Sequence, residues 1–89
     1  MTRRPLRIIN KLGLHARAAS KFVELASRYE AEITLGREGQ EVSGKSIMGV
    51  MMLGASRGTE LELAAEGPDE EEAADALSAL VEDRFGEGE

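Results

Sequence analysis

The chain has 89 residues, enough for one domain around one core and too few for two. Hydrophobic residues make up 42% of it and aromatic residues only 3%, so an unstructured chain is excluded and the core must be aliphatic. With no cysteine, disulfide scaffolds and Cys-based zinc sites are excluded, and a net charge of −6 argues against a nucleic-acid binder.

Leu6 to Ile9 is short, apolar and rich in β-branched residues, which predicts a strand with Pro5 at its beginning rather than in its middle. "NKLGL" is then a loop leading to His15. From Ala16 to Tyr29 the residues Ala19, Phe22, Val23, Ala26 and Tyr29 recur at three- and four-residue spacing, the mark of a helix with one apolar face. "AEITL" alternates as a half-buried strand, "GREG" is a turn, and "QEV" begins a returning strand, so a hairpin is expected. "SGKSIMGVMML" opens a second helix with Ser46 as its cap. "TELELAAE" alternates again, with Leu61, Leu63 and Ala65 on one face. Asp69 to Glu72 load the first turn of a last helix with acid, where the helix dipole favours it, and Ala73, Leu77, Leu80, Val81 and Phe85 form its apolar stripe. The order is β-α-β-β-α-β-α. Strands with one polar face and helices with one apolar stripe imply an α+β fold of two layers, an antiparallel sheet carrying its helices on one side. Residues 1–89 are expected to form a single domain, with 86–89 as a flexible tail.

His15, the only histidine, falls at the first helix start, where Ser, Asp or Asn caps better. From the cap position it leaves the N–H groups of Ala16, Arg17 and Ala18 without intrahelical partners, and with the helix dipole these form an anion site built from main chain. Arg17 adds a guanidinium fork suited to phosphate oxygens. The same field disfavours an imidazolium at rest, which leaves a neutral ring nitrogen able to act as a nucleophile. Up to Arg28 there are seven Arg or Lys and one acid, Glu24, whereas from Thr59 onward the only base is Arg84. His15 is therefore expected in basic surroundings that suit an anionic ligand or an acidic partner. Gly13, Ala16, Ala18, Ala19 and Ser20 are small and leave room for another protein to approach the ring. The plain alternative is an incidental polar residue. No general base, second histidine, thiol or metal-ligand cluster accompanies it, so no cofactor and no metal are expected. A residue that accepts a group and hands it on fits better than a self-sufficient enzyme.

In the second helix, helical spacing puts Ile47, Met48, Met51 and Met52 on one arc and Val50 and Leu53 on another. A short helix on a sheet buries one arc readily. The rest is either an exposed apolar patch suited to adaptable docking or additional core in a protein short of aromatics. Ser46 is a cap and also a candidate phosphorylation site, because a phosphoserine at a helix N-terminus is tolerated by the dipole while adding charge beside the methionines.

"GLHARAA", followed some thirty residues later by "KSIMGVMML", resembles HPr, the histidine-containing phosphocarrier family of the phosphoenolpyruvate-dependent phosphotransferase system. The resemblance covers nearly the whole chain. It implies an open-faced β-sandwich, a four-stranded antiparallel sheet with three helices packed on one face. It also implies a carrier that takes phosphate from phospho-Enzyme I on His15, at Nδ1 of the ring, and passes it to IIA-type proteins. On this resemblance Arg17 assists the phosphate and Ser46 is the serine modified by HPr kinase/phosphorylase where that enzyme is present. Ile47, Met48 and Met51 match apolar docking positions, and Ala16, Ser20 and Met52 complete the expected partner surface. The family usually has proline after the arginine. Here the residue is Ala18, which adds one N–H to the helix start and relaxes the backbone. Versions with alanine and "GVMML" also resemble the nitrogen-related branch, so sugar transport and regulation stay open together.

Two functions compete. One is a phosphoryl carrier using His15. The other is a non-catalytic regulatory module of the same fold that binds targets through Ile47, Met48 and Met51 and is switched at Ser46. A nucleic-acid role is disfavoured by the near absence of stacking aromatics. "MTRRPLRIIN" contains no apolar run of signal-peptide length and nothing approaches a membrane span, so a cytoplasmic monomer without membrane insertion is expected.

Overall fold

The computed structural model describes residues 1–89. β1 (Thr2–Arg7) leads to α1 (Ala16–Ala26), then the hairpin of β2 (Glu32–Arg37) and β3 (Gln40–Ser43). A short α2 (Ile47–Met52), β4 (Glu60–Glu66) and α3 (Glu70–Glu82) follow, and a 3-10 turn at Arg84–Gly86 closes the chain. The four strands form one antiparallel sheet in the order β1-β4-β2-β3. The helices pack on one of its faces, as the alternation of apolar and polar residues requires. In β4, Leu61, Leu63 and Ala65 are buried while Glu60, Glu62 and Glu66 are exposed. No helix is long and apolar enough to cross a membrane.

β1 departs from expectation. It begins at Thr2 and holds Pro5 in its interior, opposite Glu62. The reason is its place at the edge of the sheet: an edge strand pairs on one side only and can spare the N–H that proline lacks. Pairing also continues beyond Arg7, where Ile8 donates to the Thr59 carbonyl (2.9 Å) and accepts from the Gly58 N–H (2.6 Å). α1 is shorter than its apolar spacing suggested, ending at Ala26 rather than Tyr29. Tyr29 still packs against the core from the turn that follows. Phe85 likewise lies beyond α3, in the 3-10 turn with φ +54°, yet it is fully buried. Burying a phenylalanine contributes about 2–3 kcal/mol, enough to hold a non-glycine residue in the left-handed region at a cost of about 1–2 kcal/mol.

Phe22 and Phe85 join aliphatic side chains such as Ile8, Ile33, Leu35, Leu63 and Leu77 in the core, all with 1% exposure or less. α1 contributes Ala18, Ala19, Phe22 and Ala26 to it, and α3 contributes Ala73, Ala74, Leu77 and Val81. Alanines on the inner faces let α3 lie close to the sheet and let α1 pack against α2 and α3. That seating positions its first residues.

Candidate functional site

The loop before α1 is pinned at both ends. Gly13 adopts φ +70°, and a Cβ there would lie 2.6 Å from the Ala55 carbonyl oxygen, so only glycine fits. The Leu14 N–H donates to that carbonyl (2.9 Å), and the buried Asn10 donates through Nδ2 to the Gly13 carbonyl (2.8 Å). The chain therefore enters α1 along a fixed path. His15 takes the cap position with an extended backbone (φ −75°, ψ 178°), and its ring makes no capping bond.

Its C=O accepts from the Ala19 N–H (2.8 Å), which begins the helical ladder, and the N–H groups of Ala16, Arg17 and Ala18 find no acceptor. His15, Ala16 and Arg17 line an open cleft of about 640 Å³ together with Lys11 and Glu87. Ala18 does not line it: the residue is wholly buried on the inner face of the helix. Of the three amides expected to receive an anion, Ala16 and Arg17 belong to exposed residues and Ala18 to a closed one. Arg17 makes no ion pair and stands free beside the ring.

Sequence reasoning missed Glu87. Residues 86–89, expected as a flexible tail, turn back across the start of α1 in this structure. Lys21 donates to the Phe85 carbonyl (2.7 Å), and Lys11 and Glu89 are joined through their main chains. Glu87 accepts from Asn10 Nδ2 through Oε1 (3.0 Å) and meets His15 Nε2 through Oε2 (2.6 Å). Burial works against the Glu87 charge. The hydrogen bonds from Asn10 and His15, with the nearby positive charge of Lys21, outweigh it and hold the carboxyl below the usual carboxylate range. An ionised carboxylate only accepts, so Nε2 carries the proton and Nδ1 is left without a partner. The surroundings of the ring are thus mixed in sign rather than wholly basic.

The second candidate region lies alongside, since α2 packs against α1. Ser46 caps α2, its Oγ accepting from the Gly49 N–H (3.1 Å). The two arcs separate as their spacing implies. Val50 and Leu53 are buried, whereas Ile47, Met48, Met51 and Met52 are exposed by 43%, 71%, 40% and 66%. The patch is surface rather than additional core. Ala16 and Ser20 are exposed on α1. No group of three or more His, Cys, Asp or Glu side chains is placed to hold a metal.

Residues 2–83 match the family described as the PTS HPr component phosphorylation site. The chain belongs to the HPr family. It is 54% identical over 89 residues to the phosphocarrier protein HPr of Cupriavidus necator, covering 100% of both chains. It is 58% identical over 83 residues to that of Pseudomonas aeruginosa, covering 92% of each. Its fold superposes on the crystal structure of HPr-C-His from Thermoanaerobacter tengcongensis with a TM-score of 0.95 at 48% identity, covering 98% of both. As a member of the HPr family the chain is a phosphoryl carrier, an intermediate in transfer rather than a self-sufficient enzyme. The open-faced β-sandwich of that family is the fold described above.

Proposed function

We propose that His15 is the residue on which this HPr-family protein carries phosphate from phospho-Enzyme I to IIA-type components of the phosphotransferase system. The observation that supports it is the uncapped start of α1. There a partly exposed imidazole with a free Nδ1, the N–H groups of the exposed residues Ala16 and Arg17, which have no acceptor, and an unpaired guanidinium share one cleft. A phosphoryl group bound to Nδ1 gains the donors that the helix leaves unsatisfied, together with the Arg17 fork. Ala18 in place of proline lends no exposed donor, because the residue is buried. The partner surface combines Ala16 and Ser20 with Ile47, Met48, Met51 and Met52, a largely apolar area around the ring that excludes water when a partner docks.

Phosphorylation of Ser46 by HPr kinase/phosphorylase, in a cell that has it, sets a dianion at the edge of the methionine patch. The helix dipole tolerates it, and an acidic partner is repelled. The protein works as a cytoplasmic monomer, with no nucleic acid among its partners. Incubation with phosphoenolpyruvate and Enzyme I tests the reading: wild type acquires acid-labile label, and His15→Ala acquires none. Absence of label from both would favour a regulatory module that binds through the patch alone.

A further inference from the structure

We infer that Glu87 is a positioning residue for phosphoryl transfer, holding the proton on His15 Nε2 and stabilising the positive charge that the ring gains as Nδ1 bonds phosphorus. The inference rests on the carrier role of His15 and extends it to a residue 72 positions away in the chain.

The contact is built rather than incidental. Both oxygens of the carboxylate are engaged, Oε2 with the ring and Oε1 with Asn10 Nδ2 (3.0 Å). Asn10 is itself fully buried and is tied to the Gly13 carbonyl, so the carboxylate is anchored to the loop that delivers His15. The Glu87 side chain is 12% exposed and that of His15 is 29% exposed, so water screens the pair less than it would on an open surface. Lys21 fixes the preceding turn through the Phe85 carbonyl. With Asn10 and Lys21 both helping to hold the carboxyl in its charged form, its role toward the ring is to accept and not to donate.

The chemistry follows from which nitrogen is covered. When Nδ1 attacks, its lone pair forms the N–P bond, and the bond from phosphorus to the donor breaks with its electron pair leaving on the donor. The ring acquires positive charge shared between its two nitrogens. The proton stays on Nε2, and Glu87 takes none. When the group moves on, the N–P electrons return to Nδ1 and the ring departs as neutral imidazole because Nε2 is still protonated. Were Nε2 bare, the leaving group would be an imidazolate. A carboxylate on the far nitrogen therefore stabilises the charged ring both in the transition state and in the phosphorylated form, as the aspartate stabilises the imidazolium in a catalytic triad.

Glu87→Gln keeps the size of the side chain and an accepting oxygen but removes the charge, and Glu87→Ala removes both. The full-length proteins are compared in single-turnover transfer from phospho-Enzyme I and in the return reaction, with solvent exchange of the Nε2 proton followed by NMR in the unphosphorylated protein. The expected result is a fall of about threefold or more in transfer from phospho-Enzyme I for both variants, with the transfer equilibrium displaced toward phospho-Enzyme I because the charged phospho-ring loses its partner, and with faster exchange of the ring proton. A loss of less than about threefold in transfer from phospho-Enzyme I in either variant, an unchanged transfer equilibrium, or a ring proton that exchanges as in wild type, overturns the assignment. A wild type that takes no label from phospho-Enzyme I overturns the carrier role and this inference with it. A labelled wild type beside an unimpaired Glu87→Gln overturns the inference alone.

Discussion

The starts of α1 and α2 solve the same problem in opposite ways. Both have a cap residue with extended backbone, His15 before Ala16 and Ser46 before Ile47. Ser46 satisfies an orphan amide through Oγ, while His15 leaves three amides without an acceptor, two of them on exposed residues. The difference tracks how each helix is held. α1 has eleven residues and buries Ala18, Ala19, Phe22 and Ala26, so it can forgo a cap worth about 1 kcal/mol. α2 has six residues and buries Val50 alone within its span, so its cap is a larger share of what keeps it formed. A helix that is secure in its packing can leave its N-terminus free for chemistry. The largest effect that tests this is His15→Ala, which is expected to abolish acid-labile labelling while lowering unfolding free energy by only about 1–2 kcal/mol, the loss of the contact with Glu87. Loss of the fold in that variant, read by denaturant unfolding, would mean that the ring serves structure instead.

The two arcs of α2 offer the next comparison. Val50 is wholly buried beside Leu53, and Met48 and Met52 face water. Val50→Ala is expected to cost about 2 kcal/mol in unfolding free energy with little change in affinity for Enzyme I. Met48→Ser with Met52→Ser is expected to leave stability in place and weaken that affinity about tenfold, as loss of apolar anchors at an interface does. Calorimetric titration and denaturant unfolding of the two variants check both halves. Equal affinity after the double methionine change would remove the patch from the docking surface.

How much of this was legible in the sequence depended on how local its cause is. The arcs of α2, the alternation in β4 and the stripe of α3 are set by residues within a turn or two of one another, and their period can be counted. The interior place of Pro5 depends on β1 being an edge strand, a property of the sheet order that no local pattern states. The burial of Ala18 depends on which way α1 faces the sheet, and small residues give a weak signal of direction. Glu87 was invisible for a stronger reason. Its partners His15 and Asn10 are separated from it by 72 and 77 positions, and "GEGE" has the composition of a free end. The charge asymmetry of the chain held a hint, an acidic end able to fold onto a basic beginning, but nothing in it chose the carboxylate.

A smaller effect separates capping from switching at α2. Ser46→Ala is expected to lower unfolding free energy by about 1 kcal/mol and to keep transfer to His15, because only the bond to the Gly49 N–H is lost. Ser46→Asp retains an acceptor for that amide and adds charge at the helix start, where the dipole favours it. Its thermal midpoint is expected to stay near that of wild type while transfer from phospho-Enzyme I slows. A large fall in the midpoint of Ser46→Asp, with transfer per folded molecule unchanged, would leave Ser46 as a cap and nothing more.

The smallest expected effect sets the acidic start of α3 against the histidine corner. Asp69 does not cap its own helix; its carboxylate accepts from the N–H groups of Glu30 (2.9 Å) and Ala31 (2.8 Å) and so ties the start of β2 to α3. The bond from the Glu30 N–H is the strongest influence holding Asp69 below the usual carboxylate range, against desolvation and with help from the Ala31 N–H. Glu70 is held low first by the Thr2 hydroxyl (2.7 Å) and then by the Gly67 N–H (3.2 Å). A carboxyl whose value is lower in the folded chain than in the unfolded one stabilises the fold above its unfolded value of about 4, and that contribution is lost as pH falls through the folded value. The thermal midpoint is therefore expected to decline on acidification from about pH 4 downward. Asp69→Asn combined with Glu70→Gln should flatten that decline, since two of the responsible groups no longer titrate. Glu87→Gln should flatten it less, because it removes one depressed carboxyl instead of two. Melting curves recorded from neutral pH into the acid range decide it. If the Asp69/Glu70 double variant declines as steeply as wild type, the acid sensitivity belongs elsewhere than the junction of β2 and α3.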